Sequence, residues 1–434
     1  MEPKVVVLGA GFAGLRAVRR LGRAEIPTLW IDGNNYHCFL PLLYQVATAG
    51  LEPASIAHPA RSILRRLPSV EFCMATIVGA DPAARLLFTA DREPIPYRQL
   101  IVATGGSAED FGIPGVREYG HWLYDLEDAR ALRNHTIRAL ERASVTTDAA
   151  ERARLLTFVI VGAGPTGVEM AGALAEFRRH VLPRDYRHVD PALMRIIVVE
   201  AGPNVLPPFP EKLRQRTLRD LHAFGVDVRT NTRVEQVSAD AAILAGGERL
   251  PTETVIWAAG IRAAPVVAHM GLPTGRSGRV RVEPTLAVPG HAGVFAAGDV
   301  AIVDGAERLP QVAQVAIQQG ELAAENVRRS IAGEPLAIFR YHDKGSMATI
   351  GRSRAVAAIG RVRLVGRIAW MAWLVVHIVM LIGFRNRLVV LVNWAWNYVT
   401  FDRGLRAIIG RAGDDEQVAI AAEAPAHRAA RESG

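Results

Sequence analysis

Residues 5–14 have the sequence VVVLGAGFAG, an apolar run typical of a buried strand that leads into Gly-x-Gly-x-x-Gly. Residues 158–167 repeat the pattern as FVIVGAGPTG. A helical stretch follows each motif, and this strand–turn–helix setting distinguishes a dinucleotide-binding loop from a chance cluster of glycines. The two motifs therefore predict an α/β protein with two Rossmann-like dinucleotide-binding domains.

Each glycine of the motif has its own physical task. The first permits a tight turn, the second lets the backbone approach a pyrophosphate, and the third lets the helix pack closely on the strand. The helix N-terminus then offers free N–H groups and a partial positive charge to the phosphates. We predict cofactor contacts at Gly9, Gly11 and Gly14 in the first loop, and at Gly162, Gly164 and Gly167 in the second.

An acid follows each loop at the end of the next predicted strand, where it can bind a ribose diol. Asp32 lies 23 residues after Gly9, and Glu200 lies 38 residues after Gly162 because a longer helix and loop intervene. A 2′-phosphate beside Glu200 would be repelled, and residues 201–204 (AGPN) supply no arginine to offset the repulsion. The second site is therefore expected to take NADH rather than NADPH.

Three further strands end in small residues, at 100–106 (LIVATGG), 254–260 (TVIWAAG) and 293–299 (GVFAAGD). Together with the two loops they resemble the glutathione-reductase-like flavoproteins, which contain two dinucleotide-binding domains. The resemblance implies that the first loop, Asp32 and Asp299 contact FAD, and that the second loop and Glu200 contact NADH. Four neighbours are also expected at the cofactor sites: Thr104, Gly105, Gly260 and Gly298.

The length of 434 residues favours about three domains. We predict that the FAD-binding domain consists of residues 1–122 and 271–340, with an NADH-binding domain inserted at 123–270. Residues 341–411 are predicted to form a membrane-anchoring region, and 412–434 a disordered tail.

Residues 309–320 (LPQVAQVAIQQG) resemble the Ala-Gln quinone-site motif of the type II NADH dehydrogenases. Gln314 and Gln318 are four residues apart, so on a helix they share one face. Two amides on one face can bind quinone carbonyl oxygens without adding charge near the flavin. The alternative is that both glutamines cap or decorate a solvent-facing helix.

Glu169 lies two residues after Gly167, where type II NADH dehydrogenases have a glutamate near nicotinamide and flavin. The resemblance implies that it positions groups or handles a proton. However, Thr166 and Glu169 also fit a capping box, in which the carboxylate satisfies a backbone N–H.

The cysteines narrow the choice of electron acceptor. The chain has two, Cys38 and Cys73, so it contains neither the CxxxxC pair of disulfide reductases nor the distal cysteines of sulfide:quinone oxidoreductases. Residues 38–41 (CFLP) match the Cys-x-Leu-Pro of CoA-disulfide reductases and NADH oxidases, whose single cysteine cycles through oxidised forms. That activity remains one alternative, and an NADH-responsive signalling flavoprotein is another.

The C-terminal region carries most of the net charge of +8. Residues 361–411 contain eight arginines against one acid, Asp402, together with four of the seven tryptophans. Arginine and tryptophan beside apolar helices suit an anionic membrane surface, and the long apolar runs fit nucleic acid poorly. The 17 residues from 368 to 384 would span only about 25 Å at ~1.5 Å per residue, short of a ~30 Å bilayer core. We therefore expect monotopic binding; the alternatives are a span and a hairpin buried in a core or a dimer interface.

The remaining expectations follow from composition and from the resemblance. Residues 1–4 lead directly into the first strand and leave no room for a signal peptide, so the expected location is the cytoplasmic face of the cell membrane. Two cysteines exclude a disulfide scaffold and a cysteine-based zinc site, and no metal is expected. The expected activity is NADH:quinone oxidoreduction without proton pumping, with FAD and NADH as cofactors, a membrane quinone and a second copy of the chain as partners, and no nucleic acid.

Overall fold

The computed structural model describes residues 4–306, 309–400 and 406–408. In chain order the strands are β1 (Lys4–Leu8), β2 (Thr28–Asp32), β3 (Tyr36–Cys38), β4 (Ala57–Pro59), β5 (Val70–Met74), β6 (Ile77–Asp81), β7 (Leu86–Thr89), β8 (Ile95–Val102), β9 (Gly106–Ala108), β10 (Gly120–Trp122), β11 (Thr157–Val161), β12 (Arg195–Val199), β13 (Asp227–Arg229), β14 (Val234–Ser238), β15 (Ala241–Leu244), β16 (Arg249–Pro251), β17 (Thr254–Trp257), β18 (Ile261–Ala263), β19 (Val280–Val282), β20 (Val294–Ala296), β21 (Ala301–Val303), β22 (Ser346–Gly351), β23 (Arg354–Ile359) and β24 (Val362–Val365). The α-helices are α1 (Phe12–Arg23), α2 (Leu43–Ala47), α3 (Pro53–Ile56), α4 (Ala60–Leu64), α5 (Val116–Tyr119), α6 (Leu126–Val145), α7 (Ala149–Leu155), α8 (Pro165–His180), α9 (Leu182–Asp185), α10 (Glu211–Ala223), α11 (Ala313–Ala332), α12 (Gly366–Met380) and α13 (Phe384–Thr400).

The first sheet has the strand order β5-β2-β1-β8-β7-β6, and β20 also pairs with β8. Strands β5, β2, β1, β8 and β20 are parallel, and α1 connects β1 to β2. Parallel strands are covered by helices on both faces, which explains why β1 is a continuous apolar run. Helix α11 packs along α1, so the segment after β20 lies against the first glycine loop.

The second sheet has the order β10-β17-β11-β12-β13 and is parallel throughout. Strand β11 is buried along its whole length, and α8 connects it to β12. Strand β10 pairs with β17 here, although the predicted boundary after residue 122 assigned it to the first domain. The reason is that the chain reaches this sheet one strand before α6. The domain boundaries otherwise stay predictions.

The C-terminal region begins with the antiparallel sheet β22-β23-β24 and ends with α12 and α13. Strand β22 packs on α8, and α12 packs on β23. The predicted apolar run 368–384 is interrupted after Met380, because Gly383 has a positive φ of 86° and starts a turn into α13. Within the described ranges, no helix has both the length and the apolar character to cross a membrane. Asp402, Arg403, Arg411 and the predicted tail lie outside the described residues.

The two helices α12 and α13, with the turn between them, are called the hairpin below. One face of each helix exposes large apolar side chains. On α12 these are Ile368, Met371, Val375 and Val379, and on α13 they are Phe384, Leu388, Leu391, Val392 and Trp396. Their spacing of three and four residues marks one continuous stripe on each helix.

Candidate functional site

The first glycine loop has the geometry that the motif requires. Gly9 has a φ of 103°, which L side chains rarely adopt, and it lies against the backbone of Ala103 and Thr104 at the end of β8. A Cβ atom on Gly14 would clash with the Gly9 carbonyl oxygen, so only glycine lets α1 begin this close to β1. Gly162 and Gly167 repeat both features in the second loop.

Each predicted acid accepts a hydrogen bond from a backbone N–H of the glycine loop that precedes it in the chain. Asp32 Oδ2 accepts a hydrogen bond from the Ala10 N–H at 2.6 Å, and Glu200 Oε2 accepts one from the Ala163 N–H at 2.7 Å. Burial raises the pKa of Asp32, although hydrogen bonds from backbone N–H groups oppose that shift. The structure thus places both acids at the carboxyl edge of their sheets, beside the glycines, where a dinucleotide binds.

The first site has a second wall formed by Gly298, Asp299 and Thr104. The buried Gln319 side chain accepts a hydrogen bond from the Gly298 N–H at 2.7 Å and so fixes this turn. Neither the Asp299 carboxylate nor the buried Thr104 hydroxyl has a hydrogen-bond partner among the described residues. Burial raises the pKa of Asp299, with the charge of Arg279 opposing it.

An unpaired acceptor and an unpaired donor facing a dinucleotide loop match the hydroxyl groups of FAD. The residues present therefore fit the cofactor that the sequence predicts. Gly105 follows Thr104 directly, so the predicted FAD contacts lie together at this edge.

The predicted NADH contacts also lie together. The carbonyl oxygen of Ala258 and the Cα of Ala259, after β17, are close to Gly162. Gly260 follows them with a φ of 72°, and a Cβ atom there would meet the ring of Phe111. The carboxyl ends of β11, β12 and β17 thus converge on one cleft.

A separate cavity of about 520 Å³ lies between the hairpin and α8. Its walls come from α2, α8, β22, α12 and α13. The Trp394 indole N–H donates to Gln45 Oε1 at 2.8 Å, and Gln45 Nε2 donates to the Tyr44 hydroxyl at 2.9 Å. This chain of hydrogen bonds joins the hairpin to α2 on one side of the cavity.

Glu169 lies in the wall of the same cavity. Burial raises the pKa of this carboxyl to about 8, although a hydrogen bond from the Thr349 N–H (3.3 Å) and the nearby Trp373 indole oppose the shift. The expected capping box is absent, because α8 starts at Pro165 with Gly164 as its N-cap and no side-chain cap. The carboxyl is instead directed toward β22, and it is largely protonated at neutral pH.

Gln314 and Gln318 share a face of α11, as predicted, but that face is covered. Gln314 Nε2 donates to Gly345 O at 2.8 Å, and its Oε1 accepts from Lys344 N at 3.2 Å. Gln318 makes the same pair of bonds with the backbone of His342, at 2.9 and 3.0 Å. Neither residue lines the cavity with Glu169. The two amides therefore hold the segment that leads into β22.

Several residues around the cavity were not predicted as site residues from the sequence. They are Gln45, Thr349, Trp373 and Trp394. At the first site, Gln319, which binds the Gly298 N–H, was likewise not predicted. The concentration of tryptophans after residue 361 was a usable signal, because buried indoles normally need an acceptor. No local pattern marked Thr349, which contributes a backbone N–H.

Cys38 does not have the character of a redox thiolate. Burial raises the pKa of its thiol to about 12, and the charge of Asp125 adds to the shift. A thiol with this pKa is almost fully protonated at pH 7, whereas reactive cysteines have lowered values. This argues against an NADH oxidase or CoA-disulfide reductase that works through Cys38.

Comparisons with known proteins agree with these sites. Residues 3–320 match the family model for pyridine nucleotide-disulphide oxidoreductases, and residues 343–403 match the NDH2 C-terminal domain. The type II NADH:quinone oxidoreductase Ndh of Mycobacterium tuberculosis is 37% identical over 418 residues, covering 92% of this chain and 89% of that protein. NdhA of the same organism is 39% identical over 421 residues, covering 93% and 89%.

The solved structure of NDH2 from Plasmodium falciparum in complex with NADH has the same fold. Its TM-score is 0.85 at 20% sequence identity, and the match covers 94% of this chain and 100% of that one. The predicted fold class, the class of enzyme and the cofactors FAD and NADH are thereby confirmed. The chain belongs to the pyridine nucleotide-disulphide oxidoreductases and, within them, to the type II NADH:quinone oxidoreductases.

Proposed function

We propose that this enzyme reduces a membrane quinone in the cavity between the hairpin and α8, with NADH as the electron donor. The observation that carries the proposal is the Glu169 carboxyl, which is held largely protonated in the wall of a mostly apolar cavity. Small-molecule sites have this character, with apolar walls and a few placed polar groups. The reaction converts NADH, one proton and a quinone into NAD⁺ and a hydroquinone.

Bound FAD supplies the redox chemistry, by accepting hydride from NADH and delivering two electrons to the quinone. The chain binds and orients its partners. Asp32 and Asp299, with the first glycine loop, are proposed to hold FAD, and Glu200 with the second loop is proposed to hold NADH. The Glu200 carboxylate also repels a 2′-phosphate, which favours NADH over NADPH.

Glu169 is proposed to supply a proton to a quinone oxygen. A group with a pKa near 8 is protonated at pH 7 and can regain a proton from water after donation. The buried Trp373 indole N–H lies beside the Glu169 carboxyl and lowers the pKa of that carboxyl, and it is proposed to contact a quinone carbonyl oxygen. Both groups border the same cavity.

Gln314 and Gln318 are proposed as positioning residues. They bond to the backbone of residues 342–345, and β22 begins immediately after that segment at Ser346. Strand β22 carries the Thr349 N–H that contacts Glu169. In this proposal the glutamines influence quinone reduction through the placement of β22.

The hairpin is proposed to hold the protein on the membrane. Its two apolar stripes are exposed, and Phe384 at the turn is 82% exposed. Residues 361–411, with their excess of arginine, would meet anionic lipid on the cytoplasmic face. Because the cavity lies directly under the hairpin, a quinone would reach it from the lipid side. The homodimer stays a prediction.

The decisive experiment separates the two half-reactions. Trp394→Phe removes the hydrogen bond to Gln45, which stabilises by about 1 kcal/mol, so we expect the quinone KM to rise about fivefold. Anaerobic reduction of bound flavin by NADH should be unchanged. Trp396→Phe, on the exposed side of the same helix, is the matched control. If Trp394→Phe lowered the rates of both half-reactions equally, or left the quinone KM unchanged, the cavity would not be the site of quinone reduction.

A further inference from the structure

A second cleft, of about 510 Å³, lies between α1, α11 and residues 338–340. It is lined by the arginines Arg16, Arg19, Arg20, Arg23 and Arg340, against two acids. The acids are Glu321 and Glu325. The cleft therefore carries an excess of positive charge in a concave site separate from the Glu169 cavity, and Gln318 is its uncharged polar wall residue.

The two acids neutralise only part of this charge. Arg16 pairs with Glu321 at 3.4 Å, and Arg20 pairs with Glu325 at 2.9 Å. Glu325 also forms ion pairs with two arginines of its own helix, Arg328 and Arg329. In the described part of the chain, the side chains of the remaining three cleft arginines, at positions 19, 23 and 340, have no hydrogen bond or ion pair.

Arg19 is the most confined of these three. Burial lowers the pKa of its guanidinium, and repulsion from Arg16 and Arg23 lowers it further. An anion bound in the cleft would offset both the desolvation of the Arg19 guanidinium and its repulsion by the neighbouring arginines. Guanidinium groups bind phosphate through paired hydrogen bonds, so clustered arginines favour a phosphate group over a simple halide.

His58 lies between the cleft and the turn of the hairpin. Arg19 is close enough to His58 to lower the pKa of that imidazole, and a Cβ on Gly383 would lie 2.9 Å from His58 Cε1. The next residue, Phe384, is the exposed tip of the hairpin. Ile338, in the wall of the cleft itself, is 61% exposed. The cleft thus combines arginines with the exposed apolar Ile338, as in a phospholipid-binding surface.

We propose that this cleft binds the phosphate of an anionic phospholipid and fixes the orientation of the enzyme on the bilayer. The inference rests on the membrane association proposed for the hairpin. The hairpin region supplies apolar insertion and a general excess of positive charge, whereas the cleft adds a concave site shaped for one phosphate group. An anion free in solution has the same phosphate chemistry, and the experiment below distinguishes the two.

The test compares vesicle binding of the full-length, flavin-loaded protein. We expect Arg19→Gln/Arg23→Gln to keep its binding to phosphatidylcholine vesicles. On vesicles that also contain phosphatidylglycerol it should lose about 30-fold in affinity, because each basic residue near an anionic surface contributes about a factor of five. The control, Arg98→Gln/Arg195→Gln, removes two exposed arginines away from the cleft. Its preference for anionic vesicles should be nearly that of the wild type.

Three results would overturn the proposal. The first is an equal loss in the two double variants, which would mean that only net charge matters. The second is wild-type binding that does not depend on phosphatidylglycerol. The third is full suppression of the lipid preference by millimolar inorganic phosphate at constant ionic strength, which would assign the cleft to a soluble anion. Turnover of NADH with a water-soluble quinone in detergent, measured on the same samples, reports separately on the quinone cavity.

Discussion

The charge state of Glu169 makes the sharpest prediction. An exposed glutamate loses its proton near pH 4.5, whereas burial raises the pKa of Glu169 to about 8. Between these values the unfolded chain is ionised at this position and the folded chain is still protonated. The folded state therefore loses about 1.4 kcal/mol of stability for each pH unit. At pH 7 the accumulated cost is about 3 kcal/mol, an upper value because the carboxyl borders a cavity.

Replacing Glu169 with Gln removes the ionisation and keeps the shape of the side chain. We expect the variant to be more stable than the wild type at pH 7, by up to about 3 kcal/mol. The difference should grow from pH 5 to pH 8 and vanish below pH 5, where both chains are neutral at this position. Quinone reduction should fall because the variant has no proton to donate, while flavin reduction by NADH is preserved.

Urea unfolding of the flavin-loaded protein at pH 5, 6, 7 and 8 measures the difference. Glu235→Gln, at an exposed position on β14, serves as the control and should follow the wild type at every pH. A stability difference that stays constant with pH, or a variant less stable than the wild type at pH 8, would refute the assignment of a protonated Glu169. Unchanged quinone turnover in a more stable variant would refute its role as proton donor but not its charge state.

Three further outcomes follow from other contacts. Glu200→Ala should narrow the preference for NADH over NADPH, measured as the ratio of kcat/KM values, and an unchanged ratio would show that another group excludes the 2′-phosphate. Gln318→Leu should raise the quinone KM and leave flavin reduction by NADH intact, since it frees the backbone of His342; matched losses in both half-reactions would contradict this. The rings of His121 and His135 lie 3.8 Å apart between centroids in a tilted arrangement, and burial lowers the pKa of both, to about 4 for His121. The unfolded chain protonates them first, so stability should fall between pH 6.5 and 4, and His135→Gln should flatten that fall in urea-unfolding curves.

The positions of the candidate cofactor contacts were predictable because each contact is marked by a local sequence pattern. A glycine loop, an acid at the end of the next strand and small residues after other strands all mark the same edge of a parallel sheet. Because parallel strands bring their carboxyl ends to the same edge of the sheet, these local motifs converge in the folded protein. Asp32 and Glu200 therefore lie where their spacing placed them, even though the second interval is much longer than the first.

The cavity proposed to bind quinone could not be predicted in the same way, because its polar atoms come from distant segments with no recognisable local motif. Trp394 and Gln45 are 349 residues apart, and Glu169 meets a backbone N–H 180 residues later. The sequence correctly places Gln314 and Gln318 on one face of a helix, but it does not reveal which segment covers that face. That segment is 342–345, and its continuation is β22. The glutamines bond to the segment just before β22, and Glu169 accepts a hydrogen bond from Thr349 within β22. This connection is the physical basis for the proposal that a motif outside the cavity influences quinone reduction.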